Sequence, residues 1–342
     1  MRHLSYPRLI VALAVIILVA AAVMSLHKIP RWLGSFYFLA FSASFLYLSV
    51  YLPTTKYMTE KSLRSIVEHQ SMFYDKYVRD YKEKHPGTLE YVAARNLGHI
   101  PVYYINLDRS SARRELLESK FRDYGLSPIR VPAVDGKKIK NIKGGSADGI
   151  NFVSSFSLTP YEVACTLSHF RAIERARDDG HDLALVLEDD MAPDLIPYWE
   201  ETLHQVIAKL PEDWTVINLN PSCELKKLSS YSKRHCWSAE AYLINRKGME
   251  HILKFKTGGV WTFPKPEYGR CSGGASDCVI YAAIPGAYSY NYPLFFSSPL
   301  PSDVGNSDVR SYLKSNRKVN KFIALKNKYK NKREPAENFE RA

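Results

Sequence analysis

Leu183-Ala-Leu-Val-Leu-Glu-Asp-Asp190 is a run of apolar residues that ends abruptly in three consecutive carboxylates. A short apolar run of this length reads as a buried strand, so the triplet lies where that strand reaches its edge. In open parallel α/β sheets ligands bind outside the carboxyl ends of the strands. Side chains two apart in an extended segment share a face, which brings Glu188 and Asp190 together and turns Asp189 away. Two convergent carboxylates suit a hard divalent cation of the Mg²⁺ or Mn²⁺ type, which takes one or two protein oxygens plus the oxygens of a substrate diphosphate. The competing reading is an acidic helix N-terminus, favoured by the macrodipole, because Pro193 and Pro197 follow and a helix fits Ile196–Leu210.

Working outward, Ile100–Leu107 is rich in β-formers and precedes a segment with Leu117, Phe121 and Tyr124 at helical spacing, which makes a βα unit. Thr159-Pro160-Tyr161-Glu162 supplies an N-cap, a proline at the first helical position and a glutamate two residues later. A helix therefore starts there, with Val163, Leu167 and Phe170 on one face and Gly180 as its stop. Trp214–Leu219 and Tyr242–Ile244 read as further strands, and Arg246–Phe255 as a short helix. Strands alternating with helices predict a mainly parallel sheet.

Three separated blocks resemble glycosyltransferase family 25, the family of lipooligosaccharide and collagen galactosyltransferases. The first is Val102-Tyr-Tyr-Ile-Asn-Leu-Asp-Arg109 with Arg113-Arg114, and Ala133-Val-Asp-Gly136 after it. The second is Leu158-Thr-Pro-Tyr-Glu162 through Cys165-Thr-Leu-Ser-His169, with Ala164 where the family usually has glycine. The third is Leu187-Glu-Asp-Asp190, followed by Ala241-Tyr-Leu-Ile244 and Gly248. Together they cover roughly residues 100–300 in family order.

The resemblance implies an α/β fold of the Rossmann-like GT-A type and an inverting, metal-dependent transfer of a hexose. The sugar is galactose in most of the family, carried by a UDP-sugar and passed to a hydroxyl of a glycan or glycoprotein acceptor. It further implies Mn²⁺ or Mg²⁺ on Glu188 and Asp190, and donor contacts from Asn106, Asp108, Arg109, Arg113 and Asp189. Inversion needs a base within hydrogen-bond reach of the acceptor hydroxyl. Asp277, after Gly273-Gly-Ala-Ser and opening the helical segment Val279–Ala283, matches the family's late acid, with Glu240 and Asp303 behind it. Capping of that helix by Ser276 and Asp277 is the structural alternative. His169 is expected to orient the nucleotide or a carboxylate.

The rest of the chain is appendage, since its 342 residues hold one such domain and not two. Leu9–Leu26 and Leu33–Leu52 are uncharged and each near the length that spans hydrocarbon. They are read as two transmembrane helices, for which a cleaved signal peptide over the first is the competing reading. The chain then divides into a membrane region at 9–52, a helical stem at 53–98, a catalytic domain at 99–310 and a basic tail at 311–342. The stem is marked by Leu63, Ile66, Val67, Tyr74, Tyr77, Val78 and Tyr81, and Pro86-Gly87 breaks its pattern. An integral membrane protein results, with membrane lipid as a partner. Flanking charge leans toward both ends being cytoplasmic, whereas a single span would place the domain across the membrane, as in Golgi-type enzymes.

The net charge of +12 comes largely from Lys314–Arg333, which has nine Lys or Arg and no acid. No nucleic-acid module accompanies it, so nucleic acid is not expected as a partner. Among five cysteines, Cys223/Cys236 and Cys271/Cys278 are close enough to pair in an oxidising compartment, which leaves Cys165. No Cys/His spacing resembles a zinc site. The alternative to catalysis is an inactive membrane-tethered binding protein on the same fold, against which the intact acidic triplet argues.

Overall fold

The computed structural model describes residue 79 and residues 83–220, 228–230, 238–267, 273–290 and 294–297. Both proposed membrane spans, most of the stem, the basic tail, Asp303, Cys223, Cys236 and Cys271 lie outside these residues. No helix among the described residues is long and apolar enough to cross a membrane.

Alternation within the strands organises the molecule. In β1 (Val102–Asn106) and β5 (Leu183–Glu188), Tyr103, Ile105, Ala184 and Val186 enter one apolar cluster, while Val102, Tyr104, Leu185 and Leu187 enter another. The same split runs through β9 (Ala241–Asn245), with Tyr242 and Ile244 on the first side and Ala241 and Leu243 on the second. A sheet apolar on both faces must be covered on both. On the first face lie α3 (Pro160–Asp178), α5 (Arg246–Leu253) and α6 (Ser276–Ala282). On the second lie α1 (Leu89–Leu97), α2 (Ser111–Arg122) and the segment from β6 (Met191–Ala192) to α4 (Leu203–Ile207). This is a mixed, three-layer α/β arrangement consistent with a Rossmann-like fold.

The central sheet has seven strands in the order β2-β1-β5-β9-β7-β12-β8, where β2 is Ile129–Pro132, β7 Val216–Asn218, β8 Leu228–Ser230 and β12 Ala287–Tyr290. Pairings β1–β2, β1–β5 and β7–β12 are parallel, but β5–β9, β7–β9 and β8–β12 are antiparallel. The expected mainly parallel sheet is thus corrected to a mixed one. Among the described residues the link from β7 to β9 contains a strand and no crossover helix, and a crossover is what parallel neighbours require.

Helix α3 begins as its sequence dictates. Thr159 accepts from the Glu162 N–H, the Glu162 side chain accepts from the Thr159 N–H, and Pro160 occupies the first turn. Gly180, at a φ of +86°, ends the chain's helical course. A second sheet, in the order β10-β11-β4-β3, comprises Lys256–Thr257, Val260–Thr262, Ile150–Val153 and Gly144–Ala147. Trp261 of that sheet stacks on Phe170 of α3 at 4.3 Å between ring centroids. Covered from both sides, α3 buries Ala164, Ser168 and His169 besides the predicted Val163, Leu167 and Phe170.

Two local expectations are revised. The single helix over Ile196–Leu210 is split into a 3₁₀ turn, Ile196–Tyr198, and the short α4. Thr202 forms a fresh capping box with Gln205, and this interior N-cap starts a second helix. The stretch assigned to a stem ends in α1, whose Leu89, Ala93 and Leu97 are buried in the second-face core.

Gly248 opens α5 at a close approach between helix and strand. A Cβ there would lie 2.5 Å from the Thr215 carbonyl oxygen, which accepts from the Asn245 N–H at 3.0 Å. Gly248→Ala is therefore expected to cost about 1–3 kcal/mol through overpacking, despite alanine's better helix propensity. A urea titration reads the difference, and an unchanged midpoint would contradict the packing.

Candidate active site

Strand order places the site. β1, β5 and β7 run the same way, so their carboxyl ends share one edge with the amino end of antiparallel β9. That edge gathers Asn106 and Asp108 from β1, the Glu188–Asp190 triplet from β5, Asn220 beyond β7 and Glu240 before β9. Leu187 pairs with Ala241, and the Glu188 N–H donates to the Glu240 carbonyl at 2.8 Å, so Glu188 and Glu240 stand opposite each other. Directly opposed residues of an antiparallel pair share a face, and like charges there repel.

Strand β5 ends at Glu188, and Asp189 and Asp190 lie in the turn that follows. Asp189 faces the α2 side, where Arg113 Nε donates to Oδ1 at 2.8 Å and Asn106 Nδ2 donates to Oδ2 at 2.7 Å. Glu188 faces α3, where His169 Nε2 lies 3.4 Å from its Oε1 and Nδ1 lies 3.2 Å from the Tyr242 hydroxyl. Asp190 is 3.5 Å from Arg113 through Oδ2, while its Oδ1 is buried without a hydrogen-bond partner. Glu240 accepts from Asn220 Nδ2 at 2.6 Å.

Burial holds Asp190 well above the usual carboxylate range, the Glu188 charge adds to this, and Arg113 opposes it. Glu240 is raised in the same way, by burial first and then by Asp190 and Glu188. An unpartnered buried oxygen among carboxylates that resist a common charge is the environment a cation relieves. Glu188 and Asp190 offer oxygen donors, which fits Mg²⁺ or Mn²⁺, while the group of three whose ligand atoms lie within 4.8 Å of one another among the described residues is Cys165, His169 and Glu188.

A cavity opens in front of this edge. Its walls include Arg109, Arg113, Gly136, Tyr161, His169 and all three members of the triplet. Gly136 belongs there sterically, since a Cβ would lie 2.6 Å from the Tyr161 ring. Arg109 pairs with Asp135, whose carboxylate also accepts from the Lys137 N–H at 2.9 Å. Asp108 is largely exposed and pairs with Arg130 at 2.5 Å.

Asp277 lies elsewhere than on the cavity wall. It is buried in the first turn of α6, accepting from the Cys278 N–H at 2.9 Å and from the Ser238 N–H at 3.4 Å. The N-cap of α6 is Ala275, so the expected side-chain cap by Ser276 and Asp277 is not formed. Ser238 has a φ of 109°, a conformation L-residues rarely adopt, and lies two residues before Glu240. Cys278 is disulfide-bonded and Cys165 is a free thiol.

The sequence reading ranked Glu240 behind Asp277 and did not single out Asn220 or Tyr242. Their approach to the triplet depends on β9 lying between β5 and β7, a pairing that no local pattern encodes.

The comparisons agree with the blocks read from the sequence. Residues 99–220 match the model of Glycosyltransferase family 25 (LPS biosynthesis protein). A glycosyltransferase 25 family member of Drosophila pseudoobscura pseudoobscura is 33% identical over 113 residues, covering 31% of this chain and 18% of the relative. One of Aedes aegypti is 26% identical over 181 residues, covering 47% and 29%. Procollagen galactosyltransferase 1 of Danio rerio is 25% identical over 177 residues, covering 46% and 29%. The chain thus spans less than a third of the length of these curated relatives.

Proposed function

With residues 99–220 carrying the glycosyltransferase family 25 domain, we propose that the protein is a hexosyltransferase moving galactose from a UDP-sugar to a hydroxyl of a glycan or glycoprotein, with inversion. The observation that carries this reading is the acidic edge: Glu188, Asp190 and Glu240 drawn together, with one Asp190 oxygen buried and unpartnered. Galactose is supported by the name of the zebrafish relative, procollagen galactosyltransferase 1.

Glu188 and Asp190 would hold the divalent cation, Mn²⁺ or Mg²⁺, which when bound offsets charge on a diphosphate leaving group. The chain's own groups prepare the site. Arg113 and Asn106 fix Asp189, which keeps the turn after β5 in place and leaves Asp190 aimed into the cavity. His169, held by Tyr242, sets the orientation of Glu188. Arg109 and Arg113 line the cavity and supply positive charge for the donor's phosphates.

The base is assigned to Glu240 in place of Asp277. Both Asp277 oxygens accept from backbone N–H groups, whereas Glu240 stands opposite Glu188 across the β5–β9 pair and is held by the Asn220 side chain; neither residue lies on the cavity wall. Asp277 then acts as a positioning residue that holds the Ser238–Glu240 approach.

A panel of UDP-hexoses with an acceptor hydroxyl tests the activity, and proton NMR of the product reads the anomeric configuration. Net inversion with UDP-galactose as the preferred donor is expected, and retention would overturn the single-displacement reading.

Membrane attachment through residues 9–26 and 33–52 is part of the proposal, with the domain on the cytosolic face if both runs span. Protease added to sealed vesicles from the cytosolic side is then expected to digest residues 99–310. Full protection would place the domain across the membrane.

A further inference from the structure

The inner wall of the cavity carries a second kind of donor set. Cys165 and His169 are one turn apart on α3, a spacing that puts both on the same helix face. Glu188 comes to them from the end of β5. One donor atom from each of the three, the Cys165 sulfur, a His169 ring nitrogen and a Glu188 oxygen, lies within 4.8 Å of the others. All three residues line the cavity.

We propose that Cys165, His169 and Glu188 form a binding site for a borderline divalent cation of the zinc class, with a fourth position open to the cavity. A thiolate, an imidazole and a carboxylate are all donors that zinc accepts, and three protein ligands with a fourth position left open is a known zinc arrangement. Mg²⁺ and Mn²⁺ prefer oxygen donors and have little use for the sulfur.

Burial and the Glu188 charge hold the Cys165 thiol protonated, so it is the cation that must draw off its proton, while neighbouring hydroxyls orient the ligands. The Tyr242 hydroxyl, 3.2 Å from His169 Nδ1, can accept a proton from that nitrogen and leave the Nε2 lone pair facing Glu188. The Cys165 S–H donates to Ser276 Oγ at 3.4 Å, and once that proton leaves, the hydroxyl can turn to donate to the thiolate. Coordination breaks the Cys165 S–H bond, sends the proton to solvent and forms the metal–sulfur bond, with no change of oxidation state. The sequence conceals the site because its third ligand comes from a separate strand.

Binding stands on this cluster alone. Its consequence rests on the proposed function: Glu188 is shared with the hard-cation site, so zinc would withdraw a carboxylate from it and inhibit.

The test uses the full chain, stripped of metal, with Co²⁺ as a spectroscopic substitute for zinc. Wild type is expected to give a thiolate-to-cobalt charge-transfer absorption that Zn²⁺ abolishes. Cys165→Ser should lose the absorption, and His169→Gln should weaken Co²⁺ binding at least tenfold, with circular dichroism confirming that both fold. Absorption retained in Cys165→Ser would place the metal on other cysteines and overturn the proposal. So would its absence from folded wild type. Neither readout requires turnover, so a failure here is distinguishable from a failure of the transferase reading.

Discussion

Asp190→Asn is expected to abolish sugar transfer while raising the stability of the metal-free protein. The two effects share one cause. Asp190 Oδ1 is buried with no hydrogen-bond partner, beside Glu188 and with Arg113 opposing the charge. The folded chain holds the proton of this carboxyl to a higher pH than the unfolded chain does, by burial first and by the Glu188 charge second. The penalty is therefore absent below the unfolded carboxylate value of about 4. It grows as pH rises, and is complete above the raised folded value. Removing the charge should stabilise the metal-free protein by about 1–3 kcal/mol at alkaline pH, the scale of one uncompensated buried group. No gain is expected in strong acid. Thermal melts at several pH values, paired with a transfer assay, read both halves. An active Asp190→Asn, or one less stable than wild type at high pH, would contradict the assignment.

The second large effect is expected at Glu240. Glu240→Gln preserves size and can still accept from Asn220, which donates to this carboxylate at 2.6 Å. It cannot take a proton. A general base contributes about 10²–10⁴-fold, so kcat should fall by that factor while the affinity for UDP changes little. Asp277→Asn is expected to behave differently. The amide oxygen can keep the bond from the Cys278 N–H, but its NH₂ group faces the Ser238 N–H and loses that bond. A loose Ser238 lets the Glu240 approach shift, which predicts a smaller fall in kcat and a lower melting temperature. If Asp277→Asn instead removed activity without loss of stability, the base would move to Asp277.

Much of this edge is legible in the sequence. Apolar runs ending in polar residues gave β1, β5, β7 and β9, because buried strands leave a continuous hydrophobic signal. Thr159, Pro160 and Glu162 gave the start of α3, because caps act locally. The alternation rule turned Asp189 away from Glu188, and the two do take different partners, Arg113 and Asn106 for Asp189 and His169 for Glu188, but Asp190, expected beside Glu188, shares Arg113 with Asp189.

What could not be read was long-range. The antiparallel insertion of β9 depends on pairing between distant segments, and Glu240 meets Glu188 only through it. The break between Ile196–Tyr198 and α4 was missed because both pieces fit one helical period, and only the Thr202 capping box divides them. Asp277 was singled out by its match to the family's late acid after the Gly273-Gly274 pair. Its bonds to the Ser238 and Cys278 N–H groups require the fold.

The Glu188–Asp190 edge is proposed to bind a nucleotide diphosphate through a divalent cation. Calorimetric titration of UDP into the full chain tests it without an acceptor or a turnover. Binding is expected in Mn²⁺, to be removed by EDTA and weakened at least tenfold in Asp190→Asn. UDP binding of equal strength with and without the cation, or no binding in Mn²⁺, would contradict it.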